Sequence, residues 1–113
     1  MKINLSKAAE ELLTKVLGNR PGFIRLMYDS EGCGCAVSGV PAFRIVDEQE
    51  DGDIVLDTNV PDLTFILDSQ KAVFFEEELN LATDPGDLSL RLSSSGQHYG
   101  LYIFPRDERA VNA

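Results

Sequence analysis

The chain has 113 residues, 43% of them hydrophobic, and 19 acidic against 10 basic side chains give a formal charge of −9. That length suits one domain around one core, and the acidic balance argues against nucleic acid, whose phosphates need a basic footprint, and against anionic membranes. No apolar run is long enough for a membrane-spanning helix, and the opening Met1-Lys2-Ile3-Asn4-Leu5-Ser6 lacks the apolar segment and cleavage site of a signal peptide, so a cytoplasmic, thiol-reducing compartment is expected.

Ser6 has the character of a helix N-cap. Behind it Ala8, Ala9, Leu12, Leu13, Val16 and Leu17 recur three and four residues apart, which predicts one apolar helix face over Lys7–Leu17. Gly18 suits the position just past the helix, and Pro21 prevents its continuation. Phe23–Tyr28 reads as a strand, with Ile24, Leu26 and Tyr28 on one face and Phe23, Arg25 and Met27 on the other. The stretch from Asp29 to Gly39 follows as a glycine-punctuated loop. It holds both cysteines of the chain, Cys33 and Cys35. In a reducing compartment such a pair is more often free, metal-bound or redox-active than a structural bridge.

Val40–Val46 is the second expected strand, with Pro41 placing that end at an edge or bulge. The acidic run from Asp47 to Asp53 reads as a solvated hairpin turn. Asp47, Gln49, Asp51 and Gly52 imitate the start of a calcium loop, but the twelfth position, where a bidentate glutamate is needed, is Thr58. Ile54–Leu56 and Leu63–Leu67 are the third and fourth strands, and Asp68 is placed to cap a short helical turn over Ser69–Phe75, in which Val73-Phe74-Phe75 fits helix or strand equally. After the solvated run Glu76–Glu78 come a strand over Leu79–Ala82, a turn at Asp84–Asp87, a strand with Leu88, Leu90 and Leu92 on its buried face, a Ser94-Ser95-Gly96 break and a last apolar run, Tyr99–Phe104. Residues 1–105 are thus expected as one domain and 106–113 as a frayed tail. One helix, one short helical turn and six or seven short strands make a β-rich α+β domain. Its expected core contains Leu12, Leu13, Val16, Ile24, Leu26, Ile45, Leu56, Phe65, Leu90 and Leu92.

Taken in order, several segments carry a family resemblance: Ile3-Asn4-Leu5-Ser6-Lys7-Ala8-Ala9 leading into a helix, Glu31-Gly32-Cys33-Gly34 after a strand, Phe43-Arg44-Ile45-Val46-Asp47-Glu48, Asp53-Ile54-Val55, Asp68-Ser69 before an aromatic-rich turn, and Arg91-Leu92-Ser93-Ser94. The chain resembles the HesB/IscA-like proteins, the A-type iron–sulfur carriers. The resemblance implies a compact, twisted β-sandwich with an N-terminal helix packed on it. It also implies cluster or iron binding, with Cys33 matching the family's early-loop cysteine. The family's later Cys-Gly-Cys pair has no counterpart, because no cysteine follows Cys35, and Cys35 itself is additional. The chain looks similar to a shorter subgroup with a Gly-Cys-Gly-Cys loop.

Iron–sulfur clusters take thiolate ligands, commonly four for a [2Fe–2S] centre. One chain offers two, so two chains meeting at their loops would offer four, from Cys33 and Cys35 of each; a homodimer is therefore expected. Soft thiolates suit zinc or Cu(I) as well. His98, just after the Ser/Gly break and roughly where the family keeps its late cysteines, is a candidate nitrogen ligand, although a lone histidine is more often an ordinary loop side chain. Two other readings stand beside ligation: a tight turn with two small, partly buried residues, and a redox pair whose Cys-x-Cys bridge would close a small strained ring. Enzyme signatures are lacking. Ser93–Ser95 carry no nucleophile-elbow spacing, no phosphate loop or dinucleotide fingerprint occurs, and the carboxylates cluster in turns. The expected function is non-enzymatic binding or transfer of an iron–sulfur cluster or iron, with assembly or recipient proteins as partners. The alternative is a protein-interaction or redox-responsive module that keeps the fold and binds no cluster.

Overall fold

The computed structural model describes residues 1–18, 20–29 and 40–109. Its one α-helix, α1 (Lys7–Leu17), starts where the sequence places it: the Ser6 hydroxyl accepts a hydrogen bond from the Ala9 amide at 3.2 Å, satisfying one of the amides that a first turn leaves unpaired. It stops at Gly18, whose φ of 62° is open to glycine at no steric cost. The buried stripe Ala9, Leu12 and Leu13 lays α1 against the sheet.

Among the described residues nine strands form a single curled sheet: β1 (Lys2–Leu5), β2 (Phe23–Asp29), β3 (Val40–Val46), β4 (Asp53–Thr58), β5 (Phe65–Asp68), β6 (Glu78–Ala82), β7 (Leu90–Ser93), β8 (His98–Ile103) and β9 (Arg106–Asp107). Their spatial order is β8-β7-β6-β1-β4-β5-β2-β3-β9. A short 3₁₀ turn at Ala72–Phe74 leads into β6; Asp68 prepares it by accepting from the Gln70 amide at 2.9 Å. The domain is β-rich α+β with the helix packed on the sheet, as expected.

Four features depart from the sequence reading. β1 was expected only as a lead into the helix. It is instead a strand running parallel between β4 and β6, and it buries Ile3 and Leu5. The Asn59 side chain completes its end, accepting from the Leu5 amide at 2.8 Å and donating to the Leu5 carbonyl at 3.1 Å. The fourth strand is shifted to Phe65–Asp68, because Val60 and Leu63 close a buried turn before it. Leu88 is 63% exposed and outside β7, so only Leu90 and Leu92 fill that buried face. Finally, the expected fraying from residue 106 does not hold as far as Arg109. Arg106 and Asp107 pair with β3, the Glu108 amide donates to the Ile45 carbonyl at 2.8 Å, and the Arg109 side chain is only 2% exposed. Residues 110–113 lie outside the described ones.

The predicted core is otherwise the observed one. Leu12, Leu13, Ile24, Leu26, Ile45, Leu56, Phe65, Leu90 and Leu92 belong to one buried cluster, with Val16 half-buried against it. Phe43 and Phe65 meet edge to face at its centre, 6.4 Å between ring centroids.

Candidate functional site

Cys33 and Cys35 lie outside the described residues. What the structure gives is the frame that carries their loop. β2 and β3 pair antiparallel without a break from Phe23↔Val46 to Asp29↔Val40, so the two ends of the intervening stretch are held as hairpin partners. Strand alternation sends Ile24, Leu26 and Tyr28 to the core face, and their partners Ile45, Phe43 and Pro41 with them.

At the loop end of that face the core turns aromatic. The Tyr28 ring stacks on Phe74, 4.4 Å between centroids at 14°, and meets Phe75 edge-on at 5.6 Å. Phe75 in turn packs against Tyr99 at 5.1 Å, and the Tyr99 hydroxyl accepts from the Glu76 amide at 2.8 Å. The Lys71 ammonium sits 5.9 Å from the centre of the Phe74 ring. Four rings from three segments of the chain thus floor the base of the hairpin. The sequence reading missed this floor. The signal available was the Phe74-Phe75 pair together with a tyrosine immediately before the loop, but nothing local says that the two meet.

β8 completes the same end of the molecule. A Cβ at Gly100 would come 2.9 Å from the Pro41 Cγ, so only glycine lets β8 lie this close to β3. The turn before β8 is built by Ser94. Its hydroxyl accepts from the Gly96 and Gln97 amides, at 3.3 and 3.2 Å, and donates to Glu76 at 2.6 Å, while its amide donates to the Gln97 carbonyl at 2.8 Å. His98, the remaining predicted ligand, opens β8 opposite Ser93 and is exposed. The strand that carries it therefore reaches the hairpin base at Gly100, against Pro41, while Tyr99 packs on Phe75, which in turn meets Tyr28. Among the described residues no three His, Cys, Asp or Glu side chains form a metal-binding group.

Electrostatically, the acidic turn is only partly what the sequence suggests. Asp53 belongs to β4, and its carboxylate, 2% exposed, takes two hydrogen bonds from Arg25 at 2.8 and 2.6 Å. Those bonds outweigh burial and hold the Asp53 carboxyl below the usual range, with help from the Glu50 amide. Glu50 adds a 3.3 Å contact to the same guanidinium. One carboxylate at the end of the acidic run is thus already neutralised by an arginine.

Residues 1–100 match the family model for iron–sulphur cluster biosynthesis. The chain belongs to that family. A relative in Bacillus subtilis strain 168, the uncharacterised protein YqkB, is 37% identical over 98 residues, covering 86% of this chain and 90% of its own. Among solved structures, a proposed Fe–S biosynthesis protein from Lactobacillus salivarius superposes with a TM-score of 0.76 at 16% identity, over 97% of this chain and all of the other. A second, from Lactobacillus acidophilus, gives 0.72 at 14% identity over 95% and 90%. Escherichia coli SufA, involved in biosynthesis of iron–sulfur clusters, gives 0.60 at 15% identity over 81% and 77%. At these identities the structures establish the shared fold, and the family membership places the chain in iron–sulfur cluster assembly.

Proposed function

We propose that this member of the family holds an iron–sulfur cluster or iron as cargo through Cys33 and Cys35 and passes it to assembly or recipient proteins in the cytoplasm, without catalysing a reaction of its own. The single observation that carries the reading is the coincidence of family and thiols: in a chain matched to iron–sulfur cluster biosynthesis, both cysteines lie in one hairpin loop whose ends are pinned by the Asp29↔Val40 pair. The chemistry of the donor set fits soft iron, which thiolates favour. The hairpin that carries the loop has aromatic rings at its base, and apolar surroundings of a metal centre tune its potential and lability. His98, the one histidine of the chain, is the candidate for a supplementary nitrogen ligand, since its strand abuts the hairpin base at Gly100.

Two thiolates per chain are half of what a [2Fe–2S] cluster usually takes. The cargo is therefore held between two copies, each giving Cys33 and Cys35. The test is anaerobic reconstitution with iron and sulfide, followed by visible absorption and by iron and sulfide analysis. The reading expects thiolate-to-iron charge-transfer bands, with iron and sulfide in equal amounts. A colourless protein that takes up neither would return the loop to the interaction-module or redox-responsive alternative.

A further inference from the structure

Among the described residues β8 is an end strand of the sheet, and its pairing with β7 is irregular. Between the partners Leu90↔Ile103 and Leu92↔Gly100, β7 advances two residues and β8 three. Leu101 and Tyr102 therefore stand together opposite Arg91, a bulge in the edge strand. Simple alternation would hide one of the two. Instead Leu101 is 57% and Tyr102 76% exposed, Ile103 returns to the core, and Phe104 is again 64% exposed. The bulge has a conformational cost. Tyr102 has a φ of 59°, and among the described residues it alone adopts a positive φ without being glycine. For a bulky side chain this is a strained choice. Glycine would relieve the strain, and a polar residue would be the ordinary choice for a solvent-facing edge. What the arrangement achieves is to turn three large apolar side chains outward from one edge.

We propose that this β8 edge is the surface through which two copies of the chain associate, Leu101, Tyr102 and Phe104 of one copy packing on the same three of the other. The choice of a second copy rests on the carrier reading above, in which one chain supplies half of the thiolates. It rests also on position: Leu101 adjoins Gly100, which touches Pro41 at the base of the cysteine-bearing hairpin. An isologous contact here uses one self-complementary patch on both copies. The bulges break the regular run of backbone donors and acceptors that strand addition needs, so side chains make the contact rather than a continued ladder. Each copy carries a formal charge of −9, so the apolar contact works against long-range repulsion and strengthens when salt screens it. A contact with a basic partner would weaken instead.

Sedimentation equilibrium of the full chain, metal-free and after anaerobic reconstitution, at low and high salt, tests this. The expected result is a reversible dimer, tighter at high salt, with a dissociation constant raised at least about tenfold by Leu101→Asp and by Tyr102→Gly. Glycine suits the observed φ better than tyrosine, so weakening by Tyr102→Gly with an unchanged far-ultraviolet spectrum reports a lost contact, not a lost fold. A wild type that stays monomeric in both forms, or a dimer that both variants leave intact, overturns the proposal. So does a dimer that salt dissolves. Iron per chain in Cys33→Ser is read separately. A dimer that needs Tyr102 but persists in a Cys33→Ser variant with unchanged iron keeps the surface and refutes the carrier reading. Iron that follows Cys33 in a chain that never dimerises does the reverse.

Discussion

Arg25 and Asp53 form a fork-to-fork ion pair on the outer face of the sheet, guanidinium to carboxylate through two hydrogen bonds of 2.8 and 2.6 Å, with side chains 10% and 2% exposed. β5 runs between the strands that carry them, so the pair staples β2 to β4 across it. Removing one partner of a sequestered pair leaves the other charge poorly compensated, which typically costs about 3–5 kcal/mol. Asp53→Asn is expected to lower the unfolding free energy by about 3 kcal/mol in denaturant titrations at neutral pH. Replacing both partners, Arg25→Met with Asp53→Leu, should recover most of that loss.

The same pair and its counterpart at β9 set the acid limb of stability. Asp53 is held below its ordinary value by the Arg25 hydrogen bonds, and Asp107 is lowered from 3.8 to about 2 by those from Arg109. A carboxyl with a depressed folded-state value contributes stability that is complete above the unfolded-state value and is lost as pH falls through the folded one. The midpoint of unfolding should therefore drop between about pH 4 and pH 2. Asp107→Asn should flatten part of that limb while leaving the neutral arm level, a comparison that thermal melts across pH can make.

Arg109 ties the last described residues to the end of α1. Its guanidinium donates to the Arg20 carbonyl at 2.8 Å and to the Val16 carbonyl at 3.2 Å, besides Asp107. A cation on these carbonyls also complements the negative end of the helix. Arg109→Ala should cost about 2–3 kcal/mol, since it strips part-buried acceptors of their donor. Arg109→Lys should recover little of it, because an ammonium cannot serve the carbonyls and the carboxylate in one plane. Chemical denaturation of both variants gives the comparison.

Calcium should find no strong site in the acidic turn. With the Asp53 carboxylate committed to Arg25, the remaining carboxylates lack the bidentate closing ligand. Titration calorimetry should give a dissociation constant no tighter than about millimolar, the weakest class of dedicated calcium modules. A micromolar signal abolished by Asp51→Asn would contradict this.

The elements that sequence made legible are those whose signal is local. Ser6, the three-and-four spacing of α1 and Gly18 bound that helix to the residue, and the alternation in Val40–Val46 bounds β3. β1 and β9 escaped because their evidence is non-local. Lys2–Leu5 is a strand only because β4 and β6 flank it, and Arg106–Asp107 only because β3 offers an edge. The pairing of Arg25 with Asp53 is invisible for the same reason: a charge run looks solvated until a partner 28 residues away folds over it. At the candidate site, the loop and its thiols were readable as composition, whereas the aromatic floor of Tyr28, Phe74, Phe75 and Tyr99 is a product of tertiary packing. Leu101 and Phe104 read as members of a last apolar run; a bulge, which no alternation rule anticipates, turns them outward.

The central claim, that Cys33 and Cys35 together hold the cargo, is tested most directly by iron per chain in the wild type, Cys33→Ser and Cys35→Ser, each reconstituted without oxygen and cleared of loose metal. Serine is a harder and far less acidic donor, so it replaces thiolate poorly. Each variant should lose the visible bands and nearly all bound iron, with the far-ultraviolet spectrum unchanged, since residues of the helix, the strands and the turns between them build the buried cluster that holds the fold. Iron content equal to wild type in both variants would contradict the claim.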